Sequence, residues 1–283
     1  MKYIFFGGKT IGNYVLNGLL KSNFKPNGIV CYKEIIDFEL LKLAEQQGIQ
    51  ILKINKFRDE QELLKNFIIK AEVDGFVSVA FPFILSNEIL ELVDHPINIH
   101  TGAIPKYRGH HPLSAALLND EPYQATTVHR MAEDVDAGEV LLQDFIEVNN
   151  EDDIVSIRER LTKLSLNLIL TVLDQILNNC CYPKQQVGEV IWAPKRTPED
   201  SKIDWSKPSR YIHNFVRALV DPYPNAFTFN SENILINIKK SMASDRPGKV
   251  LAEMPDNHYV IATGDGVVLV QVDKKLKVGE FLK

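Results

Sequence analysis

Cysteine is scarce in this chain of 283 residues: there are three, Cys31, Cys180 and Cys181. They make neither an even framework nor a C-x-x-C pair, which excludes a disulfide-stapled scaffold and a zinc ribbon and leaves reduced structural thiols. Long hydrophobic runs are missing as well. The opening MKYIFFGGK holds an apolar stretch too short for a signal-peptide core or a bilayer span, so a soluble, cytoplasmic protein without membrane contact is expected. Charge of one sign is not in excess: Lys+Arg 32 against Asp+Glu 37 gives a net charge of -5, which argues against a broad nucleic-acid surface. G-x-S-x-G and H-E-x-x-H motifs do not occur, adjacent His110 and His111 diverge, and no bound metal is expected. Gly7-Gly8 lacks the G-x-G-x-x-G spacing, and no acid closes a second strand near Ile29 to Tyr32, so the chain gives no dinucleotide signature.

What is present is an alternation of apolar strands and amphipathic helices. Lys2 to Phe6 reads as a strand and IGNYVLNGLL as a helix. A helix over 38–47, a strand over 49–54, a helix over 59–70 and a nearly continuous apolar strand over 75–80 follow. Such runs predict an α/β fold, a Rossmann-like and mostly parallel sheet covered by helices on both faces. A helix over 111–118, strands over 126–131 and 140–148, and a long covering helix over 154–177 come next. The character changes at the polar stretch 195–201. A helix over 208–220 then leads into short β-runs split by turns, which predict a small antiparallel, OB-like barrel. The expected division is a catalytic domain over 1–203 and a small β-rich C-terminal domain over 204–283.

The chain is organised around INIHTGAIPKYRG, residues 97–109. Asn98 and His100 stand two apart, so in an extended backbone both side chains leave one face and an amide donor lies beside an imidazole. Pro105 and the run Lys106-Tyr107-Arg108-Gly109 place the pair at a strand end opening into a loop, where α/β folds keep their catalytic groups. Taken alone, an Asn or His at a strand end is more often a cap or a satisfied core group. Acids in a turn such as Ala132-Glu133-Asp134-Val135-Asp136-Ala137-Gly138 usually just solvate it; Asp136 is the one taken as functional. Without a reactive Ser or Cys, an Asn, a His and an Asp do not make a covalent hydrolase triad. They suit acyl or formyl transfer to an amine: His100 handles the proton, Asn98 donates to the oxyanion, and Asp136 orients the imidazole and favours its charged form. Phe81-Pro82-Phe83-Ile84-Leu85 reads either as core packing or as the wall of a pocket for a flat heterocycle.

These residues carry a resemblance. Asn98-x-His100, the Pro105-x-x-Arg108-Gly109 loop and Asp136-Ala137-Gly138 resemble the signature of the folate-dependent formyltransferases, whose catalytic Asn, His and Asp fall on Asn98, His100 and Asp136. The resemblance implies 10-formyltetrahydrofolate as co-substrate, with Phe81, Phe83, Ile84 and Leu85 and the turn Ala132, Glu133, Asp134 and Val135 holding its pterin. Thr127-Val128-His129 is similar to glycinamide ribonucleotide formyltransferase, but Gly7-Gly8-Lys9-Thr10 does not match that enzyme's phosphate loop. The stretch Lys195 to Phe227 resembles the linker and C-terminal domain start of methionyl-tRNA formyltransferase and of the sugar-nucleotide N-formyltransferases, especially the 4-amino-4-deoxyarabinose type. A tRNA acceptor is disfavoured because residues 208–283 hold ten Lys/Arg against eight Asp/Glu, too even a balance for a phosphate-neutralising face. The stretch 31–37 also runs straight into a helix with no basic insertion. The implied acceptor is therefore the amino group of a nucleotide-linked amino sugar. Lys106, Tyr107, Arg108, Lys195 and Arg196 are the candidates to hold it, although Arg108 could instead brace its loop against an acid. A homodimer is compatible with this reading. Methionyl-tRNA formylation, formyltetrahydrofolate hydrolysis and an inactive folate-binding protein are the alternatives.

Overall fold

The computed structural model describes residues 1–32, 36–244 and 248–282. In chain order its elements begin with β1 (Tyr3–Gly7), α1 (Lys9–Leu20), β2 (Gly28–Tyr32), α2 (Phe38–Gln46), β3 (Gln50–Ile54), α3 (Gln61–Ala71), β4 (Gly75–Val79), α4 (Asn87–Leu90) and β5 (His95–His100). They continue with the two-residue β6 (Arg108–Gly109), α5 (Pro112–Leu118), β7 (Tyr123–Arg130), β8 (Val140–Glu147), α6 (Ile154–Leu177) and the two-residue β9 (Trp192–Ala193). The last are α7 (Ser209–Arg217), β10 (Ala226–Phe229), β11 (Leu235–Ser244), β12 (Val250–Met254), β13 (His258–Ala262) and β14 (Val267–Val272). Residues 33–35, part of the stretch read as free of a basic insertion, lie outside the described residues. Among the described residues no helix is long and apolar enough to cross a membrane.

The chain divides into two compact units that interleave in sequence. The first comprises Met1–Gly109, Ala125–Ile146 and Glu159–Trp192. Its sheet has the order β3-β2-β1-β4-β5-β7-β8, parallel from β3 to β5 and antiparallel at β7. The unbroken apolar runs are explained by burial on both faces. Along β1, Tyr3 and Phe5 enter a cluster with Val15, Val77, Ile97 and Val172, while Ile4 and Phe6 enter a separate one with Leu64, Ile68 and Phe76. The period of two in the strand thus feeds two hydrophobic layers.

The second unit comprises His110–Gln124, Glu147–Arg158 and Ala193–Lys283. Its five-stranded antiparallel sheet has the order β10-β11-β14-β13-β12 and packs Ile236, Tyr259, Val268 and Val270 with Trp205, Ile212 and Phe215. Buried Trp205 donates its indole N–H to Thr228 Oγ1 at 2.9 Å, so its one polar atom is satisfied. α7 ends at Arg217, with Ala218 as its C-cap, short of the expected residue 220.

Candidate active site

All the chemistry-bearing side chains discussed first belong to the first unit. β5 and β7 pair antiparallel in a register that sets Asn98 opposite His129 and His100 opposite Thr127. Alternation puts these four on one face of the sheet, while Ile97, Ile99 and Val128 point into the cluster on the other. The turn between β7 and β8 returns Asp136 to the same place. A side chain at 138 would overlap the Arg130 carbonyl, which is why Gly138 closes the turn.

His100 is buried, with Nε2 2.8 Å from the Tyr107 carbonyl. A carbonyl only accepts, so that nitrogen carries the proton and the neutral ring's lone pair sits on Nδ1, 3.3 Å from Asp136 Oδ2. Burial holds the His100 pKa below the usual imidazole value; Asp136 and the Tyr107 carbonyl pull the other way without prevailing. Asp136 favours the charged form of the imidazole, as expected, but desolvation outweighs it and the resting ring is neutral; the shorter bond that orients it comes from the Tyr107 carbonyl. Tyr107 itself is buried and offers its backbone carbonyl, so its place among acceptor-binding side chains has no support in this geometry.

The imidazole that pairs with the Asn98 amide is that of His129, a residue that sequence reasoning did not select. His129 Nδ1 lies 2.7 Å from the Arg130 carbonyl and must donate to it. In the neutral ring Nε2 is then an acceptor, and the Asn98 Nδ2 at 3.1 Å donates to it. This fixes which way the amide faces and leaves Asn98 a second N–H. Asp136 Oδ1 is 3.4 Å from the same His129 nitrogen, and Asp136 Oδ2 accepts the Gly109 N–H at 2.9 Å. Burial raises the Asp136 pKa, but the hydrogen bond and charge that His129 can offer, the nearby His100 and the Gly109 N–H outweigh it and bring it to about 2.

The loop after β5 is braced by Thr127 and Arg108 together with Gln143 and Gln186, two residues that gave no sequence signal. The Thr127 hydroxyl donates to the Gly102 carbonyl at 2.7 Å, and Gln143 Nε2 donates to the Ile104 carbonyl at 3.1 Å and to Thr127 Oγ1 at 2.7 Å. Arg108 donates through Nε and Nη2 to Gln186 Oε1, at 3.2 and 2.6 Å, and the Arg108 N–H donates to the Ile191 carbonyl. Gln186 Nε2 in turn donates to the Asp136 and Gly138 carbonyls at 2.8 and 2.7 Å. Arg108 therefore does brace its loop, but against an amide and not an acid.

Phe81 and Phe83 stand in an aromatic group with Phe6, Phe57 and Tyr32, Phe83 stacking on Phe57 at 4.4 Å. Ile84 is 67% exposed, whereas Leu85 lies in the core below and offers no open surface. Of the turn residues, Ala132, Glu133 and Asp134 are exposed and Val135 is half-buried. Met131, just before them, packs on the same cluster as Phe81. Lys106 is exposed. Lys195 and Arg196 belong to the second unit, where the Arg196 guanidinium donates to the Asp200 carbonyl and lies 5.4 Å from the Phe215 ring.

Comparison with known proteins agrees with this architecture. Residues 1–173 match the formyl transferase family and residues 195–282 the formyl transferase C-terminal domain. Methionyl-tRNA formyltransferase of Thermodesulfovibrio yellowstonii is 32% identical over 84% of this chain and 77% of its own length. That of Halalkalibacterium halodurans is 30% identical over 100% of this chain and 94% of its own. Among solved structures, an N-formyltransferase from Helicobacter canadensis, in complex with folinic acid and dTDP-3-aminofucose, superposes with a TM-score of 0.75 at 23% identity, covering 96% of this chain and 99% of its own. WlaRD, a sugar 3N-formyl transferase, gives 0.71 at 20% identity over 98% and 99%. At these identities the structures show a shared fold, and the family matches carry the assignment: the chain belongs to the formyl transferase family.

Proposed function

We propose that the chain transfers the formyl group of 10-formyltetrahydrofolate to the amino group of a nucleotide-linked amino sugar. The observation that carries the chemistry is the meeting of half-buried Asn98 and Asp136 with buried His100 at the end of β5. His100 Nδ1 receives the proton that the attacking amine loses, and Asp136 Oδ2 holds the resulting imidazolium. The second N–H of Asn98 donates to the oxyanion that forms on the formyl carbon. His100 then returns its proton to the departing folate nitrogen, so the step is balanced without a covalent enzyme intermediate. In this reading Phe81, Phe83 and Ile84 offer the apolar wall for the pterin and the exposed turn 132–135 its polar partners. Leu85 supports the wall from below. Lys106, Lys195 and Arg196 are the cations proposed for the acceptor's phosphates, residues 1–203 form the catalytic part and 204–283 the small C-terminal domain.

The sugar acceptor is supported by one structural neighbour named a sugar 3N-formyl transferase, by another in complex with dTDP-3-aminofucose, and by the even charge of the C-terminal stretch. Transfer to methionyl-tRNA is the second reading, favoured by relatives about one-third identical over most of the chain. A direct assay separates the two. Purified protein is given 10-formyltetrahydrofolate with dTDP- or UDP-linked amino sugars, with charged initiator tRNA, or with no acceptor. Folate turnover that requires the amino sugar supports the proposal. Formylated methionyl-tRNA with no sugar product would support the second reading, and turnover without acceptor would make the chain a hydrolase.

A further inference from the structure

The Ile97–Arg130 pair lies one step along the β5–β7 register from Asn98–His129, so its side chains leave the opposite face of the sheet from the trio. On that side is a cavity of about 200 Å³ lined by His95, Ile97, Arg130, Leu141, Ile176 and Pro183 among others. It is separate from the site above, and no step of the proposed formyl transfer uses it. One side of its chemistry is apolar, from Ile97, Leu141, Ile176 and Pro183. The other includes a guanidinium whose Nε is buried and has no hydrogen-bond partner. Arg130 Nη1 is used by the Asp94 carbonyl at 3.1 Å, and Nε forms an ion pair with the Glu139 carboxylate at 3.8 Å, too long for a hydrogen bond, with both side chains about one-third exposed. Nε is thus a buried donor without a hydrogen bond, and such a group calls for an acceptor within reach. His95 adds a polar wall that burial and the Arg130 charge keep neutral, against the opposing pull of Asp94 and Asp74.

We propose that this cavity binds a small monocarboxylate with an apolar body. Its carboxylate would take the Arg130 guanidinium, and its aryl or branched-alkyl part would lie on Ile97, Leu141 and Ile176. The space is below the roughly 300–1,000 Å³ of pockets for drug-sized ligands, which limits the occupant to a single ring or a short branched chain. Because Arg130 also holds His129 through its carbonyl, an occupant would sit one residue from the catalytic face.

Benzoate is the probe and benzamide its uncharged counterpart. The thermal midpoint of the full chain is measured against each, at constant ionic strength set with sodium chloride, and the affinities are confirmed by calorimetry. The expected result is a saturable rise in the midpoint with benzoate and binding of benzamide at least tenfold weaker. Arg130→Met should abolish benzoate binding. Leu141→Phe, which fills the apolar half and leaves the guanidinium in place, should abolish it independently, so either variant suffices if the other does not fold. No saturable shift at tens of millimolar would mean that water alone meets Arg130 and would overturn the proposal. Equal binding of benzamide, or benzoate binding that survives both variants, would overturn it as well.

Discussion

Two polar clusters, one in each unit, are built to different ends. In the second unit, Asp120 Oδ1 accepts from Arg210 Nε at 2.7 Å and from Asn214 Nδ2 at 2.9 Å. Asn214 Oδ1 accepts from Arg217 Nε at 2.9 Å, and Arg217 Nη1 donates to the Asn149 carbonyl at 2.6 Å. Asn214 is fully buried, and both ends of its amide are taken. In the first unit, the contacts of Asp136 with the two imidazoles stretch to 3.3 and 3.4 Å, His100 keeps a free lone pair, and Asn98 keeps a free N–H. A saturated cluster holds a fold together. A cluster with capacity left over, in a place where unmet polar groups are costly, is organised for something that arrives.

The comparison breaks most sharply at its two asparagines. Asn98→Ala should lower kcat by about 10²–10³, the worth of one oxyanion donor, with substrate affinity and folding nearly unchanged. Steady-state kinetics beside urea unfolding reads both quantities, and near-normal turnover would mean that Asn98 merely shapes the pocket. Asn214→Leu should do the reverse. Leaving Arg217 and Asp120 short of partners should cost about 1–3 kcal/mol of stability, seen in urea unfolding, while turnover per folded molecule stays close to normal.

Smaller effects sharpen the same contrast. Burial keeps His100 neutral, so the acid limb of the kcat/KM profile should lie below 6.5, the ordinary imidazole value. The Asp136 charge raises the His100 pKa. Asp136→Asn should therefore move that limb to lower pH as it lowers the rate, and an upward move would contradict the assignment. In stability terms, the depressed Asp136 pKa contributes above its unfolded value near 3.8, and the contribution is lost as pH falls toward 2. The smallest expected change is that of Gln186→Leu. It frees Arg108 and two carbonyls of the Asp136 turn and should reduce kcat about tenfold or less, by the net worth of one or two hydrogen bonds.

How much of this was legible in the sequence depends on the range over which each feature is fixed. The β–α alternation and the long helix over 154–177 are local and periodic, and they stand where the pattern puts them. The strand-end position of Asn98 and His100 follows from period two and the loop signals at Pro105 and Gly109. Asp136-Ala137-Gly138 reads as a fixed turn because only glycine fits under the Arg130 carbonyl. The partners of these residues are not local. His129 reaches Asn98 only through the β5–β7 register, although its alternation with Thr127 in a β-branched strand was a usable hint. Gln186, in a coil 50 residues after Asp136, left no pattern at all. The neutrality of His100 is a product of tertiary burial, which no spacing of charges along the chain reports.

The central claim, that His100 and Asp136 work as one proton-handling unit, is tested most directly by a double-mutant cycle on kcat with 10-formyltetrahydrofolate and an accepted amino sugar. His100→Asn alone should cost about 10² or more, and Asp136→Asn should cost less. Combined, they should cost little more than His100→Asn by itself, because the carboxylate has no imidazolium left to stabilise. Losses that multiply strictly would contradict the account and leave the two residues as independent walls of a pocket.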